Sequence, residues 1–272
     1  MVQRKEEVFS SAQKLRVEVV SNTHLKANFY RLTIKTPAYF SKAQPGQFIH
    51  IKVGDDFSPL LRRPFSISNV TSFGVDIVYR IVGKGTRFLS ELREGEYLDV
   101  LGPLGRGFSI SREAKIHILV GGGVGVAPLI FLARKIKEET EGKVSILVFL
   151  GFKRKEEIIC QNQFTGVNLS LHIACEDGSY GYRGLVSQAV EDYLINFTSL
   201  SGISIYACGP VEMLRAVARL SFNYAISSQV LMEEIIGCGL GACRGCVVRG
   251  VAGYLRVCKE GPVFNIRDIA WS

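Results

Sequence analysis

Up to about residue 110, hydrophobic and polar positions alternate in short runs: KLRVEVVS, FYRLTIKT, GQFIHIKV, PFSISNV, VDIVYRIV and EYLDVLG. A period of two puts successive side chains on opposite faces of a strand. Turn-forming residues separate the runs, at QPG from Gln44, VGDD from Val53 and VGKG from Val82. Six such strands predict a small closed antiparallel barrel. From about residue 112 the rhythm changes. KIHILV is a continuous apolar strand, and APLIFLARKIKEE places Leu129, Leu132, Ala133 and Ile136 at helical spacing. KVSILVFLGF, NLSLHIAC and SGISIYACGP read as further buried strands. GLVSQAVEDYL and VEMLRAVARLSF read as the helices between and after them. Strand alternating with helix predicts a doubly wound parallel sheet. The expected fold is multi-domain β plus α/β: an antiparallel barrel over 1–111, a parallel-sheet domain over 112–226 and a small segment over 227–272. That last segment is too short for a large core of its own and is expected to need a staple or a metal.

Composition narrows the classes. Of 272 residues, 47% are hydrophobic, which suffices for real cores. The net charge is +8, but the basic residues are dispersed, and the densest cluster, Lys153 to Glu157, carries its own glutamates. This favours a soluble protein that uses anionic ligands over one that binds nucleic acid. The first residues lack the apolar core of a signal peptide. Ile116 to Ala133 is long enough to cross a bilayer, but its four glycines and Pro128 read as strand, turn and helix. The expectation is a cytoplasmic protein with no membrane span. There, gathered cysteines point to metal ligation rather than disulfides.

Several stretches carry candidate chemistry. Gly121, Gly122, Gly123 and Gly125 follow a buried strand directly, with Pro128 in the first helical turn. Glycines let backbone approach a ligand, and free N–H groups at a helix start attract a pyrophosphate. The spacing is not G-x-G-x-x-G, and Lys153 and Arg154 stand after the second strand where an acid would hold a ribose. A tight packing turn remains the plainer alternative. Cys208, Gly209 and Pro210 form a second loop at a strand's carboxyl end, where ligands of such sheets bind. In the barrel, Arg63, Pro64, Phe65 and Ser66 offer a forked cation beside an extended segment. Gly83, Gly85 and Thr86 open a helix-like stretch whose amides suit an anion.

The last segment gathers four of the seven cysteines. Cys238, Cys243, Cys246 and Cys258 have the spacing C-x4-C-x2-C-x11-C, whose first part matches the plant-type [2Fe–2S] pattern. Gly237, Gly239, Gly241 and Gly245 allow a tight wrap that aims N–H groups at sulfur. A tetrahedral zinc site is the alternative, although paired C-x2-C knuckles are its usual spacing and one such pair is present. Cys160 and Cys175 are expected in the core. His24, His50, His117 and His172 show no ligand spacing and are expected to be structural.

The run RPFSI, GKGT, LGPLG, GGGVGVAP and CGP resembles the ferredoxin-reductase flavoprotein family over nearly the first 225 residues. The resemblance implies FAD in the barrel and a nicotinamide dinucleotide on the α/β domain. It implies Arg63 on the FAD pyrophosphate and Ser66 at the flavin edge. Val78, Tyr79 and Arg80 would line the flavin and its phosphates, and Gly85 and Thr86 would supply amides. Phe65 stands where many members have Tyr. Gly121 to Pro128 and Cys208 to Pro210 would bracket the dinucleotide.

The passage E-E-x-x-x-C-G-x-G-A-C-x-G-C followed by V-C-K-E-G-P-V-F resembles the electron-transfer subunits of NAD-dependent dihydroorotate dehydrogenases. That resemblance implies a [2Fe–2S] cluster on Cys238, Cys243, Cys246 and Cys258, with NAD(H) as substrate. It also implies a separate FMN-containing catalytic subunit, in a two-plus-two heterotetramer. NADH delivers two electrons together, the cluster carries one, and a flavin between them reconciles the two. No acid–base residue of this chain is then needed. Leu240 and Val263 are candidates for partner contact and could equally belong to the core. Lys153 and Arg154 leave NADP open as the coenzyme. One rival is the flavin subunit of bifurcating ferredoxin–NAD(P) oxidoreductases or hydrogenases, in which an aspartate replaces one cluster cysteine. The non-enzyme rival is a zinc-stapled binding protein on a flavoprotein scaffold.

Overall fold

The computed structural model describes residues 13–54 and 58–271. The leader reading over the first twelve residues, and Asp55 and Asp56 of the VGDD turn, fall outside them. Six strands close the barrel: β1 (Gln13–Lys26), β2 (Phe29–Lys35), β3 (Phe48–Ile51), β4 (Arg63–Val70), β5 (Gly74–Arg80) and, after helix α1 (Lys84–Glu91), β6 (Tyr97–Leu104). Their order is β1-β2-β5-β4-β3-β6, antiparallel throughout. The alternation seen in the sequence drives this. Val19, Leu32, Ile34, Ile49, Ile67 and Ile77 turn inward and are fully buried. Closure leaves no unpaired edge.

The α/β part runs β7 (Ile116–Gly122), α2 (Val126–Glu139), β8 (Ser145–Phe152), β9 (Leu169–Cys175), β10 (Tyr182–Arg183), α3 (Val186–Leu194), β11 (Ile203–Cys208) and α4 (Val211–Asn223). The remaining strands are β12 (Ser227–Leu231), β13 (Val247–Gly250), β14 (Gly253–Arg256) and β15 (Val263–Asn265). The main sheet has seven strands in the order β10-β9-β8-β7-β11-β12-β15. All are parallel except β15, which runs antiparallel to β12. Chain order reverses between β7 and β11, so this crevice is the topological switch point.

The cysteine-bearing segment supplies β12 and β15 to this sheet and β13–β14 as a hairpin. Its Met232, Ile236, Val257 and Phe264 share one core with Ile118 and Ile205 of the sheet and with Phe48 and Leu104 of the barrel. A short segment that could not bury a core alone is thus stabilised by borrowing one. Val263 is 7% exposed, packed in the core that α2 forms with the sheet, against Gly46 of the barrel. Of the two places open to it, partner contact and core, Val263 takes the core, since β15 pairing turns the side chain inward. Leu240 is exposed, as that role requires.

His50 and His117 are fully buried, and His117 stacks on Tyr206 at 5.8 Å. Cys175 is buried, while Cys160 is partly exposed. Among the described residues no helix is long and apolar enough to cross a membrane.

The loops after β7 and β11 touch. Cys208 is level with Gly121 in the sheet. A Cβ at Gly125 would drive into the Cys208 carbonyl, and one at Gly209 would meet the Gly122 nitrogen at 2.9 Å. Gly125→Ala is therefore expected to destabilise the protein by about 1–3 kcal/mol through overpacking. Urea unfolding checks this, and an unchanged midpoint would contradict the contact.

Candidate functional site

One cavity of about 820 Å³ joins all three parts of the chain. Arg63, Pro64, Phe65 and Ser66 of β4 form one wall, and Val78, Tyr79 and Arg80 of β5 continue it. Gly85 and Thr86 at the start of α1 line one end. Pro128 of α2 closes it from the α/β side, with Val124 and Ala127. All nine barrel residues expected at a flavin site therefore meet around one space. The opposite wall comes from Leu231 to Glu234, Ile236, Val257 and Pro262.

Local chemistry explains the arrangement. The Thr86 hydroxyl accepts the N–H groups of Val82 and Gly83 at 2.9 and 3.2 Å and donates to the Gly83 carbonyl. This fixes the entry to α1, whose first amides have no intrahelical acceptor and face an anion site. Thr86 thus serves through its backbone position, its hydroxyl being committed within the turn. Arg62 and Arg63 separate sharply. Arg62 is drawn inward to Asp99 at 2.8 Å and to the Asp99 carbonyl at 2.9 Å. Arg63 stays on the cavity wall, its Nη1 braced on the Leu61 carbonyl at 2.7 Å. Tyr79 is held by its hydroxyl to Asn22 at 3.1 Å, and Phe65 meets it edge-on with centroids 6.0 Å apart. Arg80 donates from Nε to Asn28 at 3.1 Å. A cavity of about 820 Å³ bordered by Arg63, Arg80, the first residues of α1 and several aromatic and aliphatic side chains offers the chemistry that a flavin dinucleotide needs.

The second expected site lies at the switch point. Gly121, Gly122 and Gly125 are tightly packed, so the plain packing reason accounts for them. Gly123 differs: its φ is +54° and a Cβ there would meet nothing within 4 Å. Its open side leaves backbone accessible beside the start of α2. Cys208 is fully buried, and burial, with Glu233 adding to it, pushes its thiol well above the usual range. With Gly209 and Pro210 it forms the strand-end loop that packs against Gly122 and Gly125, and its burial disfavours the thiolate.

The cysteine loop forms the third site. Cys238 lies beside Cys243, and Cys246 beside Cys258. Backbone N–H groups aim at three of the sulfurs. Leu240 and Cys243 donate to Cys238 at 3.4 and 3.5 Å, Cys258 to Cys246 at 3.4 Å and Gly241 to Cys258 at 3.1 Å. Gly239 and Gly241 take φ of +74° and +79°, which the wrap requires. Cβ atoms at Gly237 and Gly245 would come within 3.4 and 3.6 Å of the Cys243 sulfur. Among the described residues no three His, Cys, Asp or Glu are gathered tightly enough to hold a single metal ion. Two thiol pairs with amides pointing at sulfur are the donor set that two bridged irons require, one pair to each iron. The residues fit such a cluster. Burial alone would raise the Cys238 thiol, but the N–H groups of Cys243, Leu240 and Ala242 and the neighbouring Cys243 thiol bring it down to about 6. Burial and the adjoining Cys246 push Cys258 up to about 12.

Sequence reasoning missed the wall contributed by the last segment. Glu233 has an exposed side chain, yet surrounding protein raises its carboxyl by burial, so its exposure is to the cavity it lines. The signal was present as the acid pair before the first cysteine, but nothing local tells that β12 delivers it to the barrel.

In the metal-free protein, iodoacetamide should alkylate Cys238 with a midpoint near pH 6 and well ahead of Cys258 at neutral pH. Peptide mass spectrometry reads both rates; equal reactivity would contradict the described hydrogen bonding.

Residues 233–270 match the family model of the iron–sulfur cluster binding domain of dihydroorotate dehydrogenase B. Residues 119–219 match that of the oxidoreductase NAD-binding domain. The chain is 37% identical over 267 residues to the electron transfer subunit of dihydroorotate dehydrogenase B (NAD(+)) of Bacillus pumilus (strain SAFR-032), covering 96% of this chain and 99% of the relative. It is likewise 37% identical to the same subunit of Bacillus velezensis, over 95% and 99% of the two chains. Among solved structures, an NADH-dependent reduced ferredoxin–NADP oxidoreductase studied for flavin-based electron bifurcation superimposes with TM-score 0.82 at 27% identity, over 94% of this chain and 90% of that one. The ferredoxin reductase of carbazole 1,9a-dioxygenase shares the fold, with TM-score 0.68 at 23% identity over 79% and 67%.

Proposed function

The chain belongs to the family of dihydroorotate dehydrogenase B electron transfer subunits, and from that premise we propose how its residues divide the work. The observation that carries the reading is the shared cavity: its lining includes Ile236 and Val257, which stand next to the cysteines Cys238 and Cys258 in sequence. We assign 1–111 to FAD, 112–226 to NAD and 227–272 to the [2Fe–2S] cluster, the last being docked through β12 and β15.

When bound, the flavin turns the electron pair of a hydride into single electrons that a two-iron cluster can carry. The protein's part is binding, orientation and screening. Arg63 and the α1 amides of Gly85 and Thr86 hold the FAD pyrophosphate. Pro64, Phe65, Ser66, Val78, Tyr79 and Arg80 fix the ring and its tail. Gly121 to Gly125 and Pro128 present backbone to the dinucleotide of NAD, and Cys208 to Pro210 confine its nicotinamide end. Cys238, Cys243, Cys246 and Cys258 ligate the irons. No side chain of this chain moves a proton for pyrimidine chemistry, which belongs to a catalytic FMN subunit.

The exposed cysteine, Cys243, lies between Leu240 at 54% exposure and the β13–β14 hairpin in sequence; Ile235 at 81% and Tyr254 at 77% are exposed in the same segment. Large exposed apolar residues beside the electron exit suit docking to the catalytic subunit, in a two-plus-two heterotetramer in the cytoplasm. The charge beside β8 supports NAD over NADP. Arg154 is paired with Glu157 at 3.6 Å. It also faces Asp177, which Ser179 holds through its N–H and hydroxyl. Those acids compete with a 2′-phosphate. Cysteine at all four ligand positions favours this reading over the bifurcating oxidoreductases, despite the close superposition.

Two variants test the assignment. Arg63→Ala should weaken FAD by about 1.5–3 kcal/mol, the worth of a hydrogen bond to a charged group. Flavin fluorescence titration measures it, and undiminished affinity would place the pyrophosphate elsewhere. Cys243→Ser should abolish the cluster and NAD-dependent dihydroorotate oxidation with the catalytic subunit, while NADH still bleaches bound FAD. Full coupled turnover without the cluster would refute the route.

A further inference from the structure

Arg256 ends β14, two residues before Cys258. Its guanidinium is not a surface charge. Nε donates to Glu260 Oε2 at 2.9 Å, Nη2 pairs with Oε1, and the Arg256 N–H adds a bond to Oε2 at 2.8 Å. The remaining Nη1 reaches across to the Gly241 carbonyl at 3.0 Å. Gly241 in turn donates its N–H to the Cys258 sulfur at 3.1 Å. One forked cation therefore ties the loop bearing Cys238, Cys243 and Cys246 to the turn bearing Cys258. The carbonyl of Arg256 also accepts from the N–H groups of Lys259, Glu260 and Gly261, which fixes that turn. Both side chains are about three-quarters buried, at 26% and 29% exposure. Ordering an arginine this fully has no explanation in flavin or dinucleotide binding, since neither residue lines the shared cavity.

We propose that Arg256, locked by Glu260, is a positioning residue that sets the reduction potential of the iron–sulfur cluster. This rests on the ligation proposed above. The field at the sulfurs supplies the reason. The cation's Nη1 and the Cys258 sulfur are bonded to the carbonyl and the N–H of one residue, Gly241, so the charge lies close to that sulfur. Reduction adds one electron and no proton to the cluster, so a neighbouring cation stabilises the reduced form. Glu260 opposes it from the other side of the guanidinium. The pair is a fixed dipole, and its two ends pull the potential in opposite directions. Lysine would keep the charge but lose the fork that spans Glu260 and Gly241.

The test is an anaerobic redox titration of the purified holoprotein, followed by the electron paramagnetic resonance signal of the reduced cluster. Arg256→Gln should move the midpoint to more negative potential and Glu260→Gln to more positive. Arg256→Lys should fall between wild type and Arg256→Gln. A structural role alone would shift both neutral variants the same way. Shifts of one sign, or none, in variants that retain the cluster overturn this inference and leave the ligation standing. If Arg256→Gln fails to load iron, the signs in Glu260→Gln and Arg256→Lys decide it. A wild-type protein with no cluster signal overturns the ligation and this inference together.

Discussion

The seam between β11, β12 and β15 holds the molecule's function together. Parallel pairing of β12 with β11, and antiparallel return of β15, anchor a cysteine-rich segment that has no core of its own. The same pairing carries Met232, Glu233 and Ile236 to the far wall of the barrel's cavity. Electron transfer between a flavin and a cluster requires proximity, and backbone pairing along this seam ties the cysteine-bearing segment to the sheet.

The chemistry is divided by dielectric as much as by residue type. The cavity is bordered by cations and helix amides as well as by apolar side chains. In the cysteine loop, N–H donors at the sulfurs lower Cys238 against its burial, while burial and then the adjoining Cys246 raise Cys258. Burial holds the Cys208 thiol well above its usual range, which suits a scaffold role.

Much of this was legible in the sequence because the signals are local. Period-two alternation in VDIVYRIV or GQFIHIKV is the barrel, seen directly in the inward Ile49 and Ile77. The strand–glycine–helix passage at Ile116 and the spacing of four cysteines are equally short-range. What was not legible depends on partners distant in the chain. The core beneath Val263 is made by Gly46 and Phe108, which no reading of GPVF would suggest. Asp177, the second acid near Arg154 besides its local partner Glu157, comes from the turn after β9. Arg62 and Arg63, adjacent and chemically alike, part only because Asp99 of β6 takes the first.

The most direct test is a reductive titration of the purified chain with NADH under argon, with bound flavin, iron, sulfide and zinc quantified on the same sample. The account predicts equal amounts of iron and acid-labile sulfide, and bleaching of both the flavin bands and the cluster's visible absorption. Zinc among the thiols, or flavin bleaching with no iron present after anaerobic reconstitution, would contradict it.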